Sequence, residues 1–172
     1  MEKTLEKKRI YTGTLLKLNV DRVSLSGGKT SFREYVSHPG AAAAIPFISD
    51  DEIILIKQYR YTISGELFEI PAGIIEKGEN PEETIKRELI EETGYKANTI
   101  QYLGWFYPSV GYTDEKIYLF KASDLELTNN KHDKEIELEK VSFKKAISMI
   151  ENGKIIDGKT IIAILIYYYR TI

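Results

Sequence analysis

Cysteine is missing altogether from this 172-residue chain, and histidine occurs only as His38 and His132. The first absence excludes disulfides, thiolate nucleophiles and thiolate zinc sites. It also suits a reducing compartment, and a cytoplasmic location is the expectation. The scarcity of histidine excludes a histidine-rich metal centre. Any bound cation would therefore take oxygen ligands and be hard, such as Mg²⁺, Mn²⁺ or Ca²⁺. A large excess of either charge is missing too, since 24 Lys and Arg against 26 Asp and Glu leave a net charge of −2. So balanced a chain lacks the broad cationic field that grips nucleic acid or an anionic membrane, and neither is expected as a partner. Long apolar runs are also lacking. The longest, Ile161 to Tyr169, falls far short of the roughly 20 residues that span a bilayer. The opening MEKTLEKKRIYTGTL has no apolar core of signal-peptide length.

What is present is an ordinary globular composition, 42% apolar and 29% charged, in a chain long enough to bury one core. No repeat or Pro/Gly-rich linker divides it, so a single domain over residues 1–172 is expected. Residues 1–40 read as strands: IYTGTLLKLNVDRVSL alternates in part, SGGKT is turn chemistry and SFREYVSH is extended again. AAAAIPFI and EIILIKQYR flank SDD and read as a hairpin, and ELFEI is a short strand before Pro71. A helix is expected from Pro81 to Thr93. Asn80 suits its cap, Pro81 its first position, Glu83 a capping box and Gly94 the left-handed residue after it. NTIQYLGWFY, EKIYLFKA and IELEKV read as strands; SFKKAISMIENG and KTIIAILIYYYR read as helices. Strands first and helices late indicate an α+β fold.

Three glutamates, Glu88, Glu91 and Glu92, crowd into five positions of the first helix. At about 100° per residue, Glu92 lies about +40° and Glu91 about −60° from Glu88, with Ile85 and Leu89 at about +60° and +100°. The carboxylates thus share one face and border the buried stripe. Like charges at this spacing destabilise a helix by a few tenths of a kcal/mol per pair, and more when desolvated. Arg87 can offset Glu91 four residues on, and Glu83 lies four before Arg87. A divalent cation would relieve the rest. By itself such a cluster is more often a solvated acidic face than a metal site.

The pattern around it is more specific. Gly73, Glu79, the run Arg87-Glu88-Leu89, the pair Glu91-Glu92 and Gly94 stand at the spacing of the Nudix box, which this segment resembles over Gly73 to Tyr95. Only the last position departs, with Tyr95 where an aliphatic residue is usual. The resemblance implies a Nudix-fold α/β/α sandwich with a mixed β-sheet and an N-terminal antiparallel strand extension. It also implies Mg²⁺-dependent hydrolysis, Mn²⁺ substituting, of a nucleoside diphosphate linked to a second group. Glu88, Glu91 and Glu92 match the metal-ligand positions, and Ala72 matches one whose backbone carbonyl joins them. Glu91 and Glu92 are also carried over as catalytic. Gly73, Glu79, Arg87 and Gly94 match structural positions, with Glu79 and Arg87 bracing loop against helix.

REYVSHPGAAAAIPF and QYRYTISGELFEIPAG are similar to the ADP-ribose pyrophosphatase branch of that family, as is the strand-rich N-terminal segment. In that branch the segment commonly swaps across a homodimer, which is the assembly expected here. The implied reaction converts ADP-ribose to AMP and ribose 5-phosphate. Arg33, Arg60, Glu69 and Glu115 fall at substrate-side positions; their plain readings are surface arginines and loop or strand-edge glutamates. The branch usually carries Ser-Pro-Gly after the box, where this chain has Ser109-Val110-Gly111. Tyr112, seventeen past Tyr95, stands in the range where dinucleoside polyphosphate hydrolases carry a tyrosine. Those enzymes, hydrolases of other nucleoside diphosphosugars such as GDP-mannose, and a non-catalytic ADP-ribose sensor are the alternatives. For the base that takes a proton from water, NNKHDKEIE offers Glu135, Asp133 and His132. Aromatics could stack on a nucleobase. Trp105, Phe106 and Tyr107 are near the right loop, although strand alternation is expected to bury at least one of them. Phe32, Tyr59 and Tyr61 are no better distinguished.

Overall fold

The computed structural model describes residues 1–129 and 133–171. By internal contacts they form two compact units, one made of Met1–Gly40 and Tyr107–Lys116, the other of Ala41–Phe106 and Ile117–Ile172.

The first unit is an antiparallel sheet of β1 (Lys3–Glu6), β2 (Arg9–Thr12), β3 (Lys17–Ser24) and β4 (Thr30–Ser37). β1 and β2 lie end to end along one edge of β3, and β4 takes the other. The turn at Gly27 and Gly28 makes the β3–β4 hairpin, both glycines having positive φ, as the SGGKT segment predicts. Loop 107–116 joins this sheet through backbone bonds, Val36 N–H to the Tyr112 carbonyl and Asp114 N–H to the Val36 carbonyl.

The second unit holds two sheets and three helices. Its mixed sheet runs β8 (Ala72–Ile74), β5 (Ala41–Pro46), β10 (Ile117–Leu127), β9 (Tyr95–Phe106), with β5 parallel to β10 and the other pairs antiparallel. Its second sheet is antiparallel, in the order β11 (Glu137–Ser142), β6 (Glu52–Arg60), β7 (Gly65–Glu69). β5 is buried throughout, as expected of a central strand with a parallel neighbour. Its Ala42 and Ala44 face helix α1 (Pro81–Thr93) and pack with Ile85, Leu89 and Phe120. Ala41, Ala43 and Ile45 face the other way, into a larger core shared with Ile53, Leu55, Met149 and Ile164. That core takes in α2 (Phe143–Glu151) and α3 (Gly158–Thr171). Helices therefore cover both faces of the mixed sheet. The four alanines of β5 have little bulk, so layers approach closely on both sides.

The helix and strand assignments from sequence match these elements within a few residues. One expectation needs correction. β5 and β6 do not form a hairpin along their length: beyond the Phe47–Ile53 bridge they enter different sheets. β5 is taken up by β8 and β10, whose distant sequences no local turn signal reveals.

Candidate functional site

Local chemistry sets the helix that carries the glutamates. The Asn80 side-chain oxygen accepts from the N–H groups of Glu82 and Glu83, each at 3.0 Å, and Glu83 accepts from the Asn80 N–H at 2.9 Å. The helix stops at Gly94, whose φ of 75° is the left-handed conformation that favours glycine, with its N–H donating to the Ile90 carbonyl. Ile85 and Leu89 are fully buried against β5. Burying that stripe fixes the rotation of the helix, and so brings Glu88 and Glu92 to the border of the core.

Arg87 organises one side of this face. Its Nε and Nη2 donate to the two Glu79 oxygens at 2.8 and 3.0 Å, bracing the loop before the helix. Its Nη1 donates to Glu88 at 2.6 Å and to Glu91 at 3.1 Å. The guanidinium, helped by the Thr84 hydroxyl, holds the Glu79 carboxyl down at about 2. The Glu83–Arg87 pairing that the spacing allows is not formed, because Glu83 is committed to the cap. Glu91 is the exposed member of the trio, while the Glu88 side chain is 14% exposed.

Glu88 and Glu92 are the anomalous groups. Burial raises the Glu88 carboxyl above its ordinary range, although Arg87 opposes the shift. Burial pushes Glu92 up to about 7, opposed by the Ala72 N–H that donates to it at 2.9 Å. Glu88 packs so closely on Gly73 that a Cβ there would lie 1.8 Å from its Oε1. Among the described residues, no three carboxylate or imidazole side chains converge into a closed cation cage. Glu88 and Glu91 turn towards Arg87, and Glu92 turns towards Ala72. The donor set nonetheless fits a hard cation: every candidate ligand is oxygen, and two of its carboxylates are penalised for being charged.

A second cluster lies at the ends of β6 and β7. Arg60 donates from Nε and Nη2 to the two oxygens of Glu69, both at 2.6 Å, and Glu69 is 1% exposed. Lys159 also donates to Glu69, and to Asp157 at 3.1 Å. Burial alone would raise the Glu69 carboxyl, but Arg60 and Lys159 together hold it below the ordinary carboxylate range. Asp157 caps α3, accepting from the Thr160 N–H at 3.0 Å and its hydroxyl at 2.6 Å. The Thr160 hydroxyl in turn accepts from the Ile70 N–H at 2.9 Å. The charges of both Arg60 and Lys159 are felt at Glu92. The sequence pattern marks Arg60 and Glu69 but not Lys159 and Asp157. Asp157 carries a cap signal three before Thr160; nothing local ties Lys159 to a glutamate ninety residues earlier.

The other candidates are dispersed. Arg33 pairs with Glu2 on the N-terminal sheet, and Glu115 lies 3.7 Å from His38 Nδ1. Asp133 donates its N–H to the Glu91 carbonyl at 3.0 Å, which brings Asp133 against the helix. Glu135 is exposed, its N–H donating to Asp133. His132 lies outside the described residues. Phe106 packs against the core, while Tyr59, Tyr61, Phe32 and Tyr112 are exposed and Trp105 and Tyr107 about half so.

Comparison with known proteins places this geometry among relatives. A family model described as the NUDIX domain matches residues 37–162. An ADP-ribose pyrophosphatase of Bacillus subtilis strain 168 is 40% identical, covering 95% of this chain and 90% of its own. A methanol dehydrogenase activator of Bacillus methanolicus is also 40% identical over the same shares. A crystal structure of an ADP compounds hydrolase superposes with a TM-score of 0.86 at 20% identity, covering 98% of this chain and 92% of that one.

Proposed function

The chain belongs to the NUDIX family, and from that premise we propose that it hydrolyses the diphosphate of ADP-ribose to AMP and ribose 5-phosphate, with Mg²⁺ as cofactor and Mn²⁺ as a substitute. The observation that carries this reading is the desolvated carboxylate of Glu92 beside Glu88, on a helix whose rotation is set by its buried stripe. The B. subtilis relative, similar over 95% of this chain, supports the choice of substrate.

Glu88, Glu91, Glu92 and the Ala72 carbonyl would hold the metal. When bound, divalent cations supply charge neutralisation for the diphosphate and make water easier to deprotonate. The protein's own part is to place these groups and to meet the phosphates with cations. Arg60, whose side chain is 41% exposed beside Glu69, is proposed to meet a phosphate oxygen by charge-assisted bonds. Arg33 and Glu115 are proposed on the substrate side, and Glu135 as the base that takes the proton from the attacking water, with Asp133 next in line. The partner is thus a small-molecule nucleoside diphosphosugar.

A substrate panel with product identification tests the reading. Purified protein with Mg²⁺ and ADP-ribose should release AMP, and EDTA should stop it. No turnover at micromolar enzyme would remove the claim. Preferential cleavage of GDP-mannose or of a dinucleoside polyphosphate would keep the chemistry and change the substrate. A ligand bound tightly and left whole in Mg²⁺ would make the protein a sensor.

A further inference from the structure

We infer that Lys159 is a positioning residue for substrate binding, acting as the reserve counterion that lets Arg60 leave Glu69 for a phosphate. The inference rests on the reading that this site takes a nucleoside diphosphosugar. Glu69 is 1% exposed, so its charge must be matched by protein groups. In the structure Arg60 matches it with two bonds, and Lys159 adds a second cation on the same Oε2. One guanidinium already neutralises the carboxylate. Lys159, which also balances Asp157, is shared between two carboxylates while Arg60 stays home, and becomes the sole cation on Glu69 if it does not.

The two cations differ in freedom. The Lys159 side chain is 12% exposed and anchored by Asp157, whose carboxylate also caps α3 and binds Thr160. Thr160 is in turn bonded to the Ile70 backbone, next to Glu69 in the chain. Lys159 is therefore held by the framework. The Arg60 side chain is 41% exposed, and its charge already acts on Glu92. An arriving diphosphate competes for the guanidinium through charge-assisted bonds. With Lys159 in place, moving Arg60 leaves Glu69 paired. Without it, the same move strands a buried carboxylate, and Arg60 stays with Glu69.

A double-mutant cycle on steady-state kinetics with Mg²⁺ and the best panel substrate tests this. Lys159→Met should raise KM by about tenfold or more, because an uncompensated buried charge opposes binding, while kcat changes by less than about threefold. Lys159→Arg, which keeps the charge, should recover most of the loss. In a Glu69→Gln background no carboxylate can be stranded, and adding Lys159→Met should shift KM by no more than about twofold. An unchanged KM in Lys159→Met, or an equal rise in both backgrounds, overturns the inference. Should Lys159→Met not fold, Lys159→Gln is carried through the same cycle. If wild-type protein turns over no member of the panel, the functional reading fails and this inference falls with it. Wild-type turnover with no coupling between the two positions defeats this inference alone.

Discussion

Glu92 concentrates the energetic conflict of the site. Its carboxyl sits at about 7, against about 4.5 in an unfolded chain, because burial penalises the charged form. A raised acid binds its proton more tightly when folded, so its contribution to stability is present below about 4.5 and lost as pH rises through about 7. Glu92→Gln should therefore stabilise the protein in EDTA at pH 8 by about 1–3 kcal/mol, with little change at pH 4. The same variant should lose at least about 100-fold in turnover, since a proposed ligand is gone. Urea titrations at the two pH values and an AMP-release assay check both halves. Gly73 is the complementary case. A methyl group there would overlap Glu88, so Gly73→Ala should cost about 1–3 kcal/mol and most of the activity. Wild-type stability and rate in that variant would mean that Glu88 has room to move aside.

At the scale of elements, α1 shows what local sequence can specify. Asn80, Pro81, Glu83 and Gly94 act within the helix's own length, so cap, start and stop are legible without any partner. The loop ahead of it depends on the Glu79–Arg87 pair. Glu79 is depressed to about 2, so its stabilisation is present above about 4.5 and lost as pH falls through about 2. Urea midpoints of wild type and Glu79→Gln should differ at pH 6 and converge near pH 2; a gap that persists at pH 2 would contradict the pairing. The strands were harder. Their positions follow from alternation and turn residues, but β5 and β6, joined by a tight turn, belong to different sheets. The partners of β5, in β8 and β10, come from residues tens of positions away, and no periodicity encodes them.

At the scale of the whole molecule, the N-terminal sheet leaves apolar side chains uncovered. Leu5, Ile10, Tyr11 and Phe32 are 45% to 62% exposed, and β1 and β2 form an edge of the sheet. A second copy of the chain is proposed to cover them, giving a homodimer. Light scattering should return twice the 19.7 kDa chain mass. Ile10→Glu with Tyr11→Lys should move the protein towards the monomer, and an unchanged dimer would place the interface elsewhere. None of the described helices is long and apolar enough to cross a membrane.

By itself the sequence determined that any bound cation would meet oxygen ligands, the extent of the glutamate helix and which of its residues share a face, and the family to which these belong. Each follows from residue type and short spacing, which act through bonds and periodicities a few residues long. Only the tertiary structure decided that Glu92 is desolvated while Glu91 is not, that Glu88 occupies the space above Gly73, and that Lys159 meets Glu69 across ninety residues. Burial and long-range charge pairing exist only once the layers have packed.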